Sequence, residues 1–255
     1  MYGKDSPIGV FDSGVGGLSV LARLVLEMPQ EDFIYLGDRK NAPYGSKSKE
    51  EIVGFSRENA RCLSELGVKC LVIACNTATA TSAELLRAEY PDLPIVGIEP
   101  AVKPAAHSDC RRVAVLATPR TVESSRFAEL ISVNSGACEL IPVPCPRLAG
   151  MIERGEDVRD YLSELLSGVG DFDGIVLGCT HYPFVKNEIL AAVGREVEIF
   201  DGAIGTAAQA KRRLEALGLL SDSGEGKISF VSTDGDDAYI EKFFKEVTKC
   251  LFPKT

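Results

Sequence analysis

The chain has 255 residues, of which 45% are apolar, enough for one large domain or two of ordinary size with a well-packed core. The formal net charge of −9 argues against nucleic acid and anionic membranes as partners, although backbone N–H groups could still bind a small anion. The N-terminus has no apolar signal-peptide core, and no apolar run is long enough to span a bilayer. We therefore expect a soluble, cytoplasmic protein.

The first predicted unit is a strand followed by a glycine-rich turn and a helix. Residues 8–11 are an apolar run typical of a buried strand, and Asp12-Ser13-Gly14-Val15-Gly16-Gly17 precedes a helical pattern that begins at Leu18. Glycines let the backbone approach a ligand closely, and a helix N-terminus offers free N–H donors. An aspartate at the strand end would repel a phosphate but would suit an ammonium group. The alternative is that Asp12 or Ser13 simply caps the helix.

The second predicted unit is the strand 33–36, which leads into a loop containing Pro43-Tyr44-Gly45. This tripeptide is typical of an ordinary turn. It is equally consistent with a binding loop whose backbone N–H groups and Tyr44 close over a ligand. The next helix starts at Ser48-Lys49-Glu50-Glu51, which has the pattern of a capping box.

Two later strands end in similar motifs. The apolar run 71–74 is followed by Cys75-Asn76-Thr77, and the run 174–178 is followed by Cys179-Thr180-His181. Ligands bind at the carboxyl ends of strands in open α/β sheets, so both cysteines are candidates for chemistry. The remaining cysteines form no C-x-x-C pair, and we expect most of them to be buried small hydrophobic residues: Cys62, Cys70, Cys110, Cys138, Cys145 and Cys250.

The remaining elements continue an alternation of strands and helices, which predicts a mostly parallel sheet. A proline-rich loop at 144–155 carries an apolar patch and Glu153. The other predicted strands are 95–98, 113–118, 139–143, 196–200 and 228–232, and the other predicted helices are 78–89, 119–133, 157–166, 203–217 and 238–251.

The order of elements repeats along the chain. The strand at 8–11 corresponds to 113–116, 105 residues later, and Cys75 corresponds to Cys179, 104 residues later. We infer an internal duplication and an α/β fold with two similar, pseudo-two-fold related lobes around a cleft. The predicted lobes are 1–97 with 205–255, and 98–204.

Two facing thiols suggest a specific chemistry. A thiolate on one side of a substrate carbon can remove a proton while a thiol on the other side supplies one, which inverts the carbon. This reaction needs no metal or organic cofactor if the site stabilises the carbanion. In an extended segment residues two apart share a face, so His181 should lie near Cys179 and either lower its pKa or relay a proton.

The chain resembles the glutamate racemase family in four motifs over nearly its whole length. These motifs are Phe11-Asp12-Ser13-Gly14-Val15-Gly16-Gly17, Asp38 with Pro43-Tyr44-Gly45, Ala74-Cys75-Asn76-Thr77-Ala78-Thr79, and Gly178-Cys179-Thr180-His181-Tyr182-Pro183. The resemblance implies a cofactor-independent enzyme that interconverts L- and D-glutamate, supplies D-glutamate for peptidoglycan and forms homodimers.

The resemblance also implies roles for individual residues. Cys75 and Cys179 would be the two bases, assisted by Asp12, Glu153 and His181. The residues implied to hold the substrate are Asp12, Ser13, Tyr44, Gly45, Asn76, Thr77, Thr180 and His181.

Three other functions compete with this one. An aspartate racemase, or another amino-acid racemase of the same superfamily, would use the same two thiols. Cys75, Cys179 and His181 also form a legitimate zinc ligand set, although no further metal-ligand spacing accompanies them. A non-enzymatic amino-acid binding module would have two lobes around a cleft, but it would leave the paired cysteines unexplained.

Overall fold

The computed structural model describes residues 3–136, 138–222 and 225–251. The two ends of the predicted first lobe extend beyond these residues. The described strands are β1 (Ile8–Asp12), β2 (Phe33–Gly37), β3 (Cys70–Ile73), β4 (Ile95–Gly97), β5 (Arg112–Ala117), β6 (Glu139–Pro144), β7 (Gly174–Gly178), β8 (Glu198–Asp201) and β9 (Ile228–Ser232). Each lies within a few residues of a predicted strand.

The described helices surround these strands. They are α1 (Leu18–Glu27), α2 (Lys49–Glu65), α3 (Asn76–Glu89), α4 (Val102–Ala106), α5 (Pro119–Val122), α6 (Ser125–Asn134), α7 (Leu148–Glu153), α8 (Arg159–Ser167), α9 (Lys186–Val193), α10 (Ala203–Ala216) and α11 (Asp237–Leu251). Short 3-10 turns occur at Arg39–Asn41, Tyr44–Ser46 and Tyr182–Val185.

Two predicted elements are wrong in detail. The predicted continuous helix 119–133 is two helices, because the Ser124 hydroxyl accepts a hydrogen bond from the backbone N–H of Phe127 (3.1 Å) and starts a new helix. The predicted loop 144–155 contains α7, and α4 and α9 were not predicted. By contrast, the predicted capping box is present at Ser48 and Glu51.

The strands form two parallel sheets with the same internal order. One sheet runs β4-β3-β1-β2-β9 and the other, read in the matching direction, runs β8-β7-β5-β6. The registers agree as well, because Ile8 pairs with Cys70 and Val113 pairs with Gly174, residues that lie 105 and 104 positions later. The predicted α/β fold with two similar lobes is therefore confirmed. We call the five-stranded sheet with its helices the first lobe and the four-stranded sheet with its helices the second lobe.

Helices cover both faces of the first sheet. Along β3, Cys70 and Val72 point into a core shared with α1 and α10, whereas Leu71 and Ile73 point into a core shared with α2 and α3. A strand that is buried on both faces has to be apolar throughout, which explains the continuous apolar runs of the sequence. The second sheet is layered in the same way, because Ala114 and Leu116 of β5 point into one core and Val113 and Val115 into another.

The chain returns to the first lobe at its end. β9 pairs with β2 in parallel, with Ile228 opposite Phe33, and α10 and α11 pack against α1. In the described part of the chain, no helix is both long enough and apolar enough to cross a membrane.

Candidate active site

Cys75 lies at the carboxyl end of β3 and begins α3. Its sulfur accepts a hydrogen bond from the backbone N–H of Ala78 (3.4 Å), and its thiol points to the Ser13 hydroxyl (3.8 Å) at the end of β1. The residue is 5% exposed. Burial raises the pKa of Cys75 to about 12, and the nearby carboxylate of Asp12 acts in the same direction. Cys75 is therefore a thiol at neutral pH.

Cys179 lies at the equivalent position of the second lobe, beside His181. The Nδ1 atom of His181 is 3.6 Å from the sulfur, and its Nε2 atom is 2.6 Å from Oε1 of Glu153. Burial alone lowers the pKa of His181, but the bonds to Cys179 and Glu153 raise it well above its usual value. Burial likewise opposes the ionisation of Glu153, but His181 and a backbone N–H keep the pKa of Glu153 below its usual value. These contacts therefore favour an imidazolium at His181 and a carboxylate at Glu153.

Glu153 is the last residue of α7, in the second lobe, and its carboxylate contacts the first lobe. Its Oε1 atom accepts a hydrogen bond from the backbone N–H of Val15 (2.9 Å). A Cβ atom on Gly14 would lie 1.9 Å from the same oxygen, so this position has no room for a side chain. The first glycine of the predicted turn thus makes space for a carboxylate of the protein itself.

Asp12 is fully buried and also links the lobes. Its Oδ2 atom accepts a hydrogen bond from the backbone N–H of Gly14 (2.9 Å), and its Oδ1 atom accepts one from the Thr180 hydroxyl (3.1 Å). Burial raises the pKa of Asp12, whereas the positive charge of His181 lowers it. The net shift is upward.

The candidate substrate-holding residues differ in how far the protein already uses their polar groups. Asn76 is 4% exposed, and neither its amide nitrogen nor its amide oxygen has a hydrogen-bond partner among the described residues. The Tyr44 hydroxyl, in contrast, donates to Asp38 (2.5 Å) and accepts from Asn59 (3.0 Å). Asn76 is therefore free to bind a ligand, and Tyr44 is held in place by its neighbours.

The structure adds two hydroxyl groups that the sequence analysis did not single out. Thr118 and Thr121, after β5, lie with their Oγ1 atoms 3.0 Å and 3.4 Å from the Oγ1 atom of Thr77. A Cβ atom on Gly45 would lie 2.9 Å from the Thr118 side chain. Each lobe thus contributes a segment that contacts the other lobe. The loop after β2, in the first lobe, contacts the end of β5, and α7, in the second lobe, contacts the turn after β1.

Comparisons with known proteins agree with this arrangement. Residues 8–210 match the family described as Asp/Glu/Hydantoin racemase. The chain belongs to this family. The resemblance that was inferred from the four motifs is confirmed.

Members of the racemase family resemble the chain over most of its length. Glutamate racemase of Clostridium novyi is 43% identical over 92% of this chain and 94% of that protein. The crystal structure of Francisella tularensis glutamate racemase in complex with D-glutamate is 30% identical, with a TM-score of 0.83 over 95% of this chain and 94% of that one. The structure of Escherichia coli glutamate racemase in complex with L-glutamate and the activator UDP-MurNAc-ala is 30% identical, with a TM-score of 0.79 over 95% of each chain.

Cys75, Cys179 and His181 were the candidate zinc ligands of the sequence. Among the residues that the structure describes, no three or more His, Cys, Asp or Glu side chains are grouped so that they could hold a metal ion. The arrangement of two buried thiols, one of them beside the His181–Glu153 pair, suits proton transfer to and from a substrate bound near both.

Proposed function

We propose that this chain is a cofactor-independent glutamate racemase that interconverts L- and D-glutamate with two thiols. The observation that carries the proposal is the placement of Cys75 and Cys179 at equivalent strand ends of two similar lobes, with His181 and Glu153 beside the second. The choice of glutamate is supported by the curated relatives and by the related structures with D-glutamate and L-glutamate.

The proposed reaction moves one proton off the α carbon and another onto its opposite face. For one enantiomer, the Cys179 thiolate takes the α proton and becomes a thiol, and the Cys75 thiol gives its proton to the carbanion and becomes a thiolate. The reverse transfers convert the other enantiomer. The upward shift in the pKa of Cys75 fits its starting role as the acid, and a positioned acid or base contributes about 10²–10⁴ in rate.

The neighbouring residues have supporting roles in this proposal. Glu153 holds His181 protonated and aimed at Cys179, and Asp12 orders the junction of the two lobes near Cys75. Asn76 contributes free amide donor and acceptor groups to the substrate. The remaining proposed substrate-holding residues are Asp12, Ser13, Tyr44, Gly45, Thr77, Thr180 and His181.

The setting of the enzyme is part of the proposal. The family resemblance supports a cytoplasmic homodimer that supplies D-glutamate for peptidoglycan. The pairing of β9 with β2 supports lobes of 1–97 with 205–255, and 98–204. Size-exclusion chromatography with light scattering checks the dimer, and a monomer at working concentration would contradict it.

The function is tested by NMR of α-proton exchange in D₂O without added cofactor or metal, using D-glutamate and L-glutamate separately. We expect exchange with inversion from both enantiomers, and loss of inversion in Cys75→Ala and Cys179→Ala. Inversion of aspartate but not of glutamate would show that the enzyme is an aspartate racemase and would refute the proposed substrate. Unimpaired inversion in both alanine variants would refute the two-thiol mechanism.

A further inference from the structure

Tyr35 lies on β2 and brings a hydroxyl group to the turn after β1. Its side chain is fully buried in the core that the first sheet shares with α1 and α10. Phe33, two residues earlier on the same face of the strand, lies in the same core, so an apolar ring is enough to fill such a position. The Tyr35 hydroxyl, however, donates a hydrogen bond to the carbonyl oxygen of Gly14 (2.8 Å). The role of this hydroxyl therefore depends on what the bond holds in place.

The bond holds the peptide group between Gly14 and Val15. This peptide group is planar and trans, so its C=O and N–H point in opposite directions. The C=O of Gly14 accepts the hydrogen bond from Tyr35, and the N–H of Val15 donates one to Oε1 of Glu153 (2.9 Å). The Tyr35 hydroxyl therefore sets the direction in which this peptide group presents its N–H to Glu153.

The turn gains from such a bond because its own backbone is weakly restrained. Three of the four residues before α1 are glycines, and glycine restricts backbone rotation less than any other residue. The turn has no room for larger residues, since a Cβ atom on Gly17 would lie 2.5 Å from Cβ of Asp12 and 3.0 Å from the Tyr35 hydroxyl oxygen. Tyr35 thus supplies from β2 a restraint that the glycines cannot supply themselves.

The contacts continue from Glu153 to Cys179. Oε1 of Glu153 lies 2.6 Å from Nε2 of His181, and Nδ1 of His181 lies 3.6 Å from the Cys179 sulfur. Val15 of the first lobe and His181 of the second therefore contact the same carboxylate oxygen. The Glu153 side chain is 13% exposed, so a shift of the Val15 N–H would let the carboxylate turn toward solvent and away from His181.

We propose that Tyr35 is a positioning residue whose hydroxyl fixes the Gly14–Val15 peptide group. That peptide group holds the Glu153 carboxylate against His181, and His181 is thereby kept directed at Cys179. The inference rests on the proposed racemase function. Burial and the carboxylates of Asp12 and Glu153 raise the pKa of Tyr35 well above its usual value, so the hydroxyl keeps its proton and remains the donor.

The test is NMR of the histidine rings in the wild type, Tyr35→Phe and Tyr161→Phe. The chain has two histidines, so nitrogen-15 labelling of histidine reports on His181 and on His107, which is exposed and whose signals are assigned with His107→Gln. We expect the ring proton between Nε2 of His181 and Glu153 to exchange with water about tenfold or more faster in Tyr35→Phe than in the wild type. Tyr161→Phe is the matched control and should keep the wild-type rate, because Tyr161 is also buried but takes no part in these contacts.

Steady-state kinetics with D-glutamate and L-glutamate give a second readout. A less well positioned His181 weakens proton transfer at Cys179 in both directions, so Tyr35→Phe should lower kcat about tenfold and change KM less than about twofold. Tyr161→Phe should keep both constants. A purely structural role of the Tyr35 hydroxyl would lower Tm and leave kcat of the folded enzyme unchanged.

Two results in Tyr35→Phe would overturn the inference. One is a His181 proton that exchanges no faster than in Tyr161→Phe. The other is a change confined to KM, which would assign the hydroxyl to substrate binding instead. If Tyr35→Phe does not fold, Gly37→Ala replaces it, because a Cβ atom there would lie 2.9 Å from the Gly14 carbonyl oxygen and would displace the same peptide group. Exchange at the wild-type rate in Gly37→Ala would then refute the role of this peptide group.

The NMR readout does not depend on turnover and so separates this inference from the proposed function. A wild type that does not invert glutamate would refute the proposed function. Unchanged exchange of the His181 proton in Tyr35→Phe, in a chain whose wild type inverts glutamate, would refute the role of Tyr35 alone.

Discussion

Asn76 has a buried amide whose donor and acceptor atoms are both unpaired among the described residues. An unpaired buried polar group costs about 1–3 kcal/mol, and a hydrogen bond to a charged group is worth about 1.5–3 kcal/mol. We expect Asn76→Ala to keep or raise Tm and to raise KM for glutamate about tenfold or more. Thermal melting and steady-state kinetics measure the two effects.

Asn59→Ala is the matched control for that prediction. Asn59 is also buried, but its amide donates to the Tyr44 hydroxyl, so its loss should lower Tm. An equal fall in Tm for both alanine variants would contradict a ligand-binding role for Asn76.

At the residue scale, the sequence predicts most where it carries an unusual pattern. The cysteines stand out because each follows an apolar run and precedes polar residues, and their structural neighbours follow from strand-end geometry. Thr118 does not stand out, since its Oγ1 atom accepts a hydrogen bond from the backbone N–H of Thr121 (3.3 Å), as an ordinary helix cap does. The signal that could have found Thr118 is the duplication, because it lies 105 residues after Ser13.

α7 shows why one element was not predictable from local pattern. It has six residues, no side-chain cap, and prolines before it at 142, 144 and 146. A helix this short gains its stability from packing rather than from propensity. In the folded protein Leu148 is fully buried, and Glu153 accepts a hydrogen bond from Val15 of the other lobe, so tertiary contacts decide the conformation.

The contact between α7 and the turn after β1 gives a prediction at this scale. In Gly14→Ala the new Cβ would lie 1.9 Å from Oε1 of Glu153, so α7 or the carboxylate must shift. We expect glutamate racemisation to fall about 100-fold, because a misplacement of about 1 Å at an active site can cost this much in rate. A racemisation assay and chemical denaturation measure activity and stability.

Gly54→Ala serves as the comparison, because a Cβ atom there would meet no atom within 4 Å. Gly54 lies inside α2, so alanine should raise the free energy of unfolding by about 0.5–1 kcal/mol and leave activity unchanged. Full activity in Gly14→Ala would show that the position of Glu153 does not matter for the reaction.

The two lobes together bury both candidate thiols, which are 5% and 7% exposed at Cys75 and Cys179. We expect iodoacetamide to reach them when the lobes separate, at least about tenfold faster than it reaches Cys70, which requires deeper unfolding. Cys70 is a matched thiol, because burial raises its pKa to about 12, as it does for Cys75.

Mass spectrometry of the labelled peptides measures these rates. Glutamate at about 100 times its Kd should slow labelling of Cys75 about 100-fold if it binds the closed form alone. Equal labelling of Cys70 and Cys75 without glutamate would show that the lobes do not separate short of unfolding.

Much of the whole-molecule architecture could be predicted, because a fixed offset between motifs implies the same topology twice. The predicted lobes include a return of the chain end to the first lobe, but the pairing of β9 with β2 has no local sequence signal, because the two strands are distant in the chain. The way the lobes contact each other was not predictable, because Gly14 and Gly45 indicate a close approach in the sequence but do not indicate that the other lobe makes it.

The shared strand order has a consequence for handedness. Two enantiomers are mirror images, and a protein made of L residues cannot contain two mirror-image sites. A planar carbanion, however, has two faces, and a rotation by 180° exchanges them. Two lobes related by such a turn can therefore offer one thiol to each face. The two faces can be distinguished by residues that differ at equivalent positions of the lobes: Asn76 corresponds to Thr180, and Thr77 to His181, each 104 residues later. Because the enantiomers have equal free energy, kcat/KM must be the same in the two directions. The differences between the lobes therefore cannot favour either product. They can change kcat and KM between the two directions only by the same factor.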